Sequence, residues 1–283
     1  MNMNFLDVDF GGGSLLQYAN RDPWQMMGYL LEAPDGKTVM IDSGRTEGAD
    51  ARYLYELLKS RGGRVDLWIM THAHNDHFGA LAYLLRTMDD FDIEIVDMRF
   101  SFPPLEWLKT VESGQPYAPA AEFLSLLEAH GIVPRELHAG ETIECGGLAI
   151  DVLRDASDYE RYHEVNDTSL VLRVHYPRRD VLFLGDLGAD AARDLVKMLP
   201  AESLRCDIVQ MAHHGQNGAE RDFYEIVCPK IALYTAPDWL WDNNKDGKGV
   251  GTGPWKTLLT RQWMRELGVQ ISCPHAHGDF LLK

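Results

Sequence analysis

The 283-residue chain predicts a mixed α/β architecture: two mixed β-sheets packed together, with helices outside. Three observations carry that reading. Strand-like runs crowd the start of the chain, and a hairpin signal separates two of them. Later in each half, short apolar runs of strand length alternate with runs of helical spacing. No low-complexity tract, Ser/Pro linker or short repeat divides the sequence, and its 45% apolar content is enough for a sizeable core. One domain spanning residues 1–283 is the expected organisation.

Strands are expected at 4–10, 14–19, 26–32 and 38–42, with Ala33-Pro34-Asp35-Gly36-Lys37 as a hairpin turn. Residues 50–60 have helical spacing through Leu54, Leu57 and Leu58, and Gly62-Gly63 stops them. A buried strand at 65–70 then feeds a helix at 78–85. The strand at 93–100 is broken by Pro103-Pro104, and helical stretches follow at 105–111 and 119–130, joined by a Gly- and Pro-containing loop over 112–117. The segment 101–131 reads equally as a cover over a site and as ordinary outer-layer helix. In the second half, strands are expected at 141–145, 148–153, 168–176 and 181–186. Next come helix 189–199, strand 207–212, helix 219–227, strand 230–235, helix 254–267 and strand 270–273.

Composition narrows the function. No apolar run approaches the ~18 residues that cross a bilayer, and no basic stretch with an apolar core opens the chain, so a cytoplasmic protein without a membrane segment is expected. Cys145, Cys206, Cys228 and Cys273 form no Cys-x-x-Cys pair and read as reduced, packed thiols. The formal net charge of −16, with few clusters of Lys and Arg, argues against a long nucleic acid as partner. A small anionic or ester substrate remains compatible, because a bound pair of divalent cations would add about four positive charges locally. The oligomeric state is not specified.

The stretch Thr71-His72-Ala73-His74-Asn75-Asp76-His77-Phe78-Gly79 sits on the expected strand-to-helix turn. Residues two apart face the same side of an extended segment, so His72 and His74 can grip one metal. Once the chain turns, Asp76 and His77 can reach a second. Neutral imidazole with carboxylate suits zinc, and also iron or manganese. A polar loop that happens to be rich in His is the bland alternative, and four candidate ligands on one such turn outweigh it.

This motif resembles the hallmark of the metallo-β-lactamase superfamily of hydrolases, and the resemblance runs in order over nearly the whole chain. Val39-Met40-Ile41-Asp42-Ser43-Gly44 looks like the family's first motif. Leu182-Phe183-Leu184-Gly185-Asp186 looks like the strand whose terminal Asp bridges two metals, and Ile208-Val209-Gln210-Met211-Ala212-His213-His214-Gly215 like the strand that carries the last ligand. Phe5-Leu6-Asp7-Val8-Asp9-Phe10-Gly11-Gly12-Gly13 is similar to the opening of ComEC-type domains. Asn166-Asp167-Thr168-Ser169-Leu170-Val171-Leu172 and the paired His213-His214 also look like that branch, a style shared with phosphorylcholine esterases.

The resemblance implies a four-layer αββα sandwich with two divalent metal ions, zinc first and manganese or iron as alternatives, at one edge between the sheets. It assigns His72 and His74 to the first metal, Asp76 and His77 to the second, and Asp186 to both. Of the adjacent pair, His214 is the expected ligand and His213 the expected support or substrate contact. Asp42 is expected to accept the outer ring N–H of a ligand His. Where most members place the first metal's third His, this chain has Asn166, with His163 as a substitute ligand. That departure leaves one or two bound metals open.

The implied chemistry is a metal-bound hydroxide attacking a phosphoryl or carbonyl centre. Asp76 would share the proton transfer, and Asn166 would approach the metal or its water. No Gly-x-Ser-x-Gly elbow offers a side-chain nucleophile. A phosphodiester or related ester is the favoured substrate. A lactam, lactone or thioester hydrolase, a nuclease, and an inactive metal-binding protein are the competing readings. His275 and His277 form a second His-x-His without the following Asp-His, and read as a chain-terminal hairpin; His130, His138 and His175 read as structural or exposed. Trp239, Trp241 and Trp255 flank a glycine-rich loop at 242–253, which reads equally as a pocket border with aromatic walls and as a mobile surface excursion; if it lines the site, it favours an apolar-faced or choline-like group.

Overall fold

A computed structural model describes residues 3–46 and 48–283. Eight strands form one sheet in the order Met3–Leu6, Asp279–Leu282, Ser14–Gln17, Gly28–Glu32, Thr38–Asp42, Leu67–Met70, Met98–Phe100, Arg135–Glu136. Seven form the other, in the order Thr142–Cys145, Leu148–Arg154, Val171–His175, Asp180–Phe183, Ile208–Gln210, Ile231–Tyr234, Ile271–Pro274. Arg64–Val65 and Glu94–Ile95 make a separate short parallel pair. Both large sheets are mixed: the first has a parallel edge pair, Met3–Leu6 with Asp279–Leu282, then antiparallel strands through Thr38–Asp42 and parallel strands beyond it, and the second passes from antiparallel hairpins to parallel strands.

Side-chain parity builds the layers. Successive residues of a strand face opposite sides. Val39, Ile41, Leu67 and Ile69 meet Val181, Phe183, Ile208 and Leu233 between the sheets. The alternate residues Met40, Trp68 and Met70 pack outward against helices Gly48–Ser60, Asn75–Thr87 and Tyr117–Ala129, through Leu54, Phe78, Leu81 and Phe123. On the far side, Leu182, Val209 and Tyr234 pack under helices Ala189–Met198, Arg221–Val227 and Thr257–Glu266. Strands covered on both faces read as unbroken apolar runs, and that is how these appear in the sequence. The result is helix, sheet, sheet, helix: the αββα sandwich.

The parallel strands position the site. Thr38–Asp42 and Leu67–Met70 run together in one sheet, and Asp180–Phe183, Ile208–Gln210 and Ile231–Tyr234 run together in the other. Just beyond their carboxyl ends come His72, Asp186, His213, His214 and Thr235, with Asp42 as a last strand residue.

Several elements differ from expectation. The run at 93–100 is two strands, because the backbone turns through Val96 and Asp97, and the Asp97 carboxylate gathers Arg99 and Arg135. The strand expected at 168–176 starts at Val171, and Val165–Thr168 is a 3-10 turn that lifts Asn166 towards the sheet edge. The strand expected at 181–186 ends at Phe183, so Asp186 sits on the following turn. The chain end is a strand as well as a turn: Asp279–Leu282 inserts between Met3–Leu6 and Ser14–Gln17. The four cysteines are unpaired; Cys145 and Cys273 are buried and Cys228 is exposed. Among the described residues, no helix is long and apolar enough to cross a membrane.

Candidate metal centre

The strand Leu67–Met70 delivers Thr71 and His72 to the sheet edge, and helix Asn75–Thr87 starts three residues later. Asp76 and His77 therefore fall in its first turn, pointing back at the strand end. His72, His77 and His214 are fully buried, and Asp76 and Asp186 nearly so. Asp186 lies at the centre. Its Oδ1 is 3.3 Å from His77 Nε2, and its Oδ2 is 3.4 Å from His214 Nε2, 3.8 Å from His213 Nε2 and 3.9 Å from His72 Nε2. Asp76 Oδ2 is 3.4 Å from His214 Nε2. Two groups of ligand atoms result, His72–His77–Asp186 and Asp76–His77–His214, each within 4.8 Å. His74 lies just outside both, with its Nδ1 3.1 Å from His72 Nε2.

These atoms fit divalent cations. His77 Nε2, His214 Nε2 and Asp186 Oδ1 are buried with no hydrogen-bond partner, a costly state unless something charged satisfies them. The electrostatics agree. Burial alone would raise Asp186, but the surrounding His214 and His77 hold its carboxyl well below the usual range. Asp76 is likewise lowered against its burial, by His214 and His77. Burial pulls His77 and His214 down, yet the carboxylates win. Asp186 and Asp42 raise His77 well above its ordinary value, and Asp186 and Asp76 lift His214 to about 9. His72, which no carboxylate approaches as closely, is pushed well below its usual value by burial and by His77. The pocket stabilises positive charge, and metal ions would take the place of those protons.

The outward ring nitrogens are tied down. His77 Nδ1–H donates to Asp42 Oδ2 at 2.8 Å, while Asp42 also accepts the Thr71 backbone N–H at 2.8 Å and the Thr71 hydroxyl. His214 Nδ1 meets Thr235 Oγ1 at 2.8 Å, and His74 Nε2 meets Glu112 Oε2 at 2.9 Å. Such partners fix tautomer and ring orientation, so that the inner nitrogen keeps its lone pair for the metal. The backbone is unusual here. Asp42, Glu112, His213 and His214 all have positive φ, a region disfavoured for side-chain-bearing residues and concentrated at functional sites.

A cleft of about 330 Å³ opens on this cluster, bordered by Gln25, Arg45, Gln115, Asn166 and His213 beside Asp76 and Asp186. Asn166 is buried, and its Oδ1 has no partner. His163 is exposed and joins neither ligand group. His213 is partly exposed at the cleft wall, and His214 is the inner member of the pair. Gln25 Nε2 donates to Asp76 Oδ2 at 3.3 Å, and Gln25 Oε1 accepts from Gln216 Nε2 at 3.3 Å. The segment 101–131 divides: Tyr117–Ala129 packs on Asn75–Thr87 through Phe123 stacked on Phe78, whereas the turn around Glu112 and Gln115 borders the cleft.

The three tryptophans do not wall this cleft. Trp239 lines a different cavity of about 400 Å³ with Asn20, His275 and His277, and Trp239 and Trp255 pack on each other. The cause is the bond from Trp239 Nε1 to Pro23 O, which holds the indole against the 20–25 loop. The sequence reading missed Glu112, Thr235, Gln25 and Arg45; of these, only Thr235 had a signal, as the last residue of an expected strand.

The model of the metallo-beta-lactamase superfamily matches residues 21–224. No curated protein matches. Among solved structures, the chain is similar to YhfI, a metallo-beta-lactamase fold protein from Bacillus subtilis, at 12% identity and TM-score 0.55, covering 95% of this chain and 98% of that one. It is also similar to CmlA, a diiron beta-hydroxylase from Streptomyces venezuelae, at 14% identity and TM-score 0.58, covering 96% of this chain and 54% of that one. At such identities these likenesses show the fold. Members of the matched superfamily are mostly metal-dependent hydrolases that use divalent metals, and the two His/Asp groups described above suit a binuclear site. Sequence match, sandwich and ligand cluster agree: the chain belongs to the metallo-beta-lactamase superfamily.

Proposed function

We propose that this protein is a metal-dependent hydrolase of a small phosphodiester or related ester, of the ComEC-type branch. The carrying observation is the cleft over the ligand cluster. It is small, at about 330 Å³, and polar, with Arg45, Gln25, Gln115 and Asn166 among its lining residues. A guanidinium matches a phosphodiester's paired oxygens, and the size suits a small molecule. The −16 charge disfavours a polynucleotide.

His72, His74, Asp76, His77 and His214 would hold the cations, with Asp186 between them. Zinc is the proposed metal; iron, as in the diiron neighbour, and manganese are the alternatives. A divalent pair supplies Lewis acidity and water of lowered pKa. The chain's own groups do the rest. Arg45 and Gln115 orient the anionic substrate, Asn166 directs its amide at a substrate oxygen, and His213 contacts the substrate from the rim. Asp76, whose Oδ2 lies 3.4 Å from His214 Nε2 at the floor of the cleft, shares proton transfer with the attacking water. We assign the protein to the cytoplasm, as one domain in which the turn around Glu112 and Gln115 borders the site.

The test has two readings. Elemental mass spectrometry on tag-free protein prepared without chelator should find about two equivalents of metal. With that metal, bis(p-nitrophenyl) phosphate should be hydrolysed with a higher kcat/KM than p-nitrophenyl acetate or nitrocefin. Preference for the lactam or the carboxylic ester would overturn the substrate assignment. A chain with no metal after reconstitution would be a binding protein instead.

A further inference from the structure

Three of the four ligand-bearing histidines lean on parts of the sandwich itself: Thr71 beside His72, Asp42 behind His77, and Thr235 behind His214. His74 does not. Its outer nitrogen meets Glu112, which comes from the 3-10 turn Glu112–Gly114 between the two helices of the outer segment. The same carboxylate reaches a third element, for Glu112 Oε1 accepts the backbone N–H of Val165 at 2.6 Å. Val165 immediately precedes Asn166, the residue standing where the wider family places a His. Glu112 thus joins the outer segment, His74 and the Asn166 turn through one side chain.

The backbone is bent to deliver it. Glu112 and Ser113 have φ of 48° and 56°. A left-handed pair without glycine at either position persists only where its surroundings over-determine it. Both carboxylate oxygens are engaged at short distances, which is such a constraint.

We propose that Glu112 is the positioning residue of the first metal subsite, acting through His74. A carboxylate only accepts, so it holds a proton on His74 Nε2 and leaves the Nδ1 lone pair facing inward. The 3.1 Å from that Nδ1 to His72 Nε2 matches the roughly 3.0–3.4 Å between two imidazole nitrogens sharing one cation at bond lengths of about 2.0–2.1 Å. Without Glu112, His74 is free to rotate or to present the other tautomer, and the subsite loses one of its imidazoles. Seating of the turn at 112–116 and filling of the first subsite are then coupled: each favours the other.

The inference rests on the metal-binding reading of the site and is independent of which ester is cleaved. The experiment compares wild type, Glu112→Ala and Glu112→Gln, each stripped and titrated with Co²⁺ or Zn²⁺ against a chromophoric chelator. The cobalt absorption spectrum is followed, and the melting temperature of the metal-free protein serves as control. The expected result is selective. One of two equivalents weakens by about 10–100-fold in both variants, its cobalt bands change, and the other equivalent keeps its affinity. Glu112→Gln has the same size but only one acceptor oxygen for two donors, so it decides the matter if Glu112→Ala fails to fold. Two equivalents of unchanged affinity and spectrum in the variants would overturn the proposal. So would equal weakening of both equivalents with a lowered metal-free melting temperature, which marks a merely structural role. If wild type itself bound no cation, the metal reading would fall too, and the wild-type titration separates that case.

Discussion

The chain contains His-x-His twice, at His72/His74 and at His275/His277, each just beyond the carboxyl end of a parallel strand or at it. Only the first makes a ligand cluster. After His74 the chain enters a helix whose first turn returns Asp76 and His77 to the strand end, and Asp186 arrives from the other sheet. After Pro274 the chain makes a 3-10 turn and crosses to the opposite sheet as Asp279–Leu282. His275 is buried there with neither ring nitrogen partnered. The nearby carboxylate, Asp279, is already saturated by Arg21, the Tyr53 hydroxyl and the Ala19 backbone N–H. The two environments push imidazoles in opposite directions. Burial, and then His214, drives His275 down to about 3, whereas two carboxylates lift the equally buried His214 to about 9. Spacing alone does not make a metal site; carboxylates with lone pairs to spare do.

The largest test of that contrast removes the central carboxylate. Asp186→Ala should lower kcat/KM for the phosphodiester by on the order of 10³-fold or more, about 4 kcal/mol of transition-state stabilisation, and reduce bound metal. His72→Ala should also lose metal, while His275→Ala keeps both equivalents by elemental analysis. The comparison breaks if the His275 variant loses metal or the His72 variant does not.

A smaller effect separates a carboxylate support from a hydroxyl support. Asp42→Asn leaves the backbone tolerable, since Asn accepts positive φ at least as readily as Asp. It nevertheless places an amide opposite His77 Nδ1 and the Thr71 donors. Metal affinity measured by chelator competition should fall about 10–100-fold. Thr235→Val, which spares the Thr235 carbonyl 3.2 Å from His214 Nδ1, should cost less. Equal losses would mean that hydrogen bonding to the ring, not charge behind it, sets the affinity.

The contrast also explains what was legible. The strands were readable because residues such as Leu67 and Trp68 are both buried, on opposite faces, so the run stays apolar throughout; for the same reason the face that each residue takes was not. The ligands in 72–77 were readable because they share one turn, and Asp186 and His214 because each follows an apolar strand. Glu112, Gln25 and Arg45 come from loops without periodicity, and only the three-dimensional closure of those loops brings them to the cleft. Asp279–Leu282 was missed for a related reason: it pairs with the start of the chain, and a four-residue run does not announce a partner so distant in sequence.

The gentlest test asks whether His275 is neutral as its surroundings require. Its folded-state value lies near 3, and an unfolded His titrates near 6.5. Below about pH 6.5 the unfolded chain takes up a proton that the folded chain refuses. Stability should therefore fall by about 1.4 kcal/mol per pH unit from ~6.5 towards 3. The raised His214 acts in the opposite sense in metal-free protein: its contribution is complete below pH ~6.5 and is lost as pH rises through about 9. Urea unfolding of metal-free wild type and His275→Leu between pH 7.5 and 5 isolates the former, because His214 and the other ligands are common to both proteins. The variant should lose less stability on acidification, and the gap should open only below pH ~6.5. Parallel curves would show that His275 accepts a proton inside the fold, and the distinction between the two His-x-His pairs would then rest on carboxylate geometry without the difference in charge state.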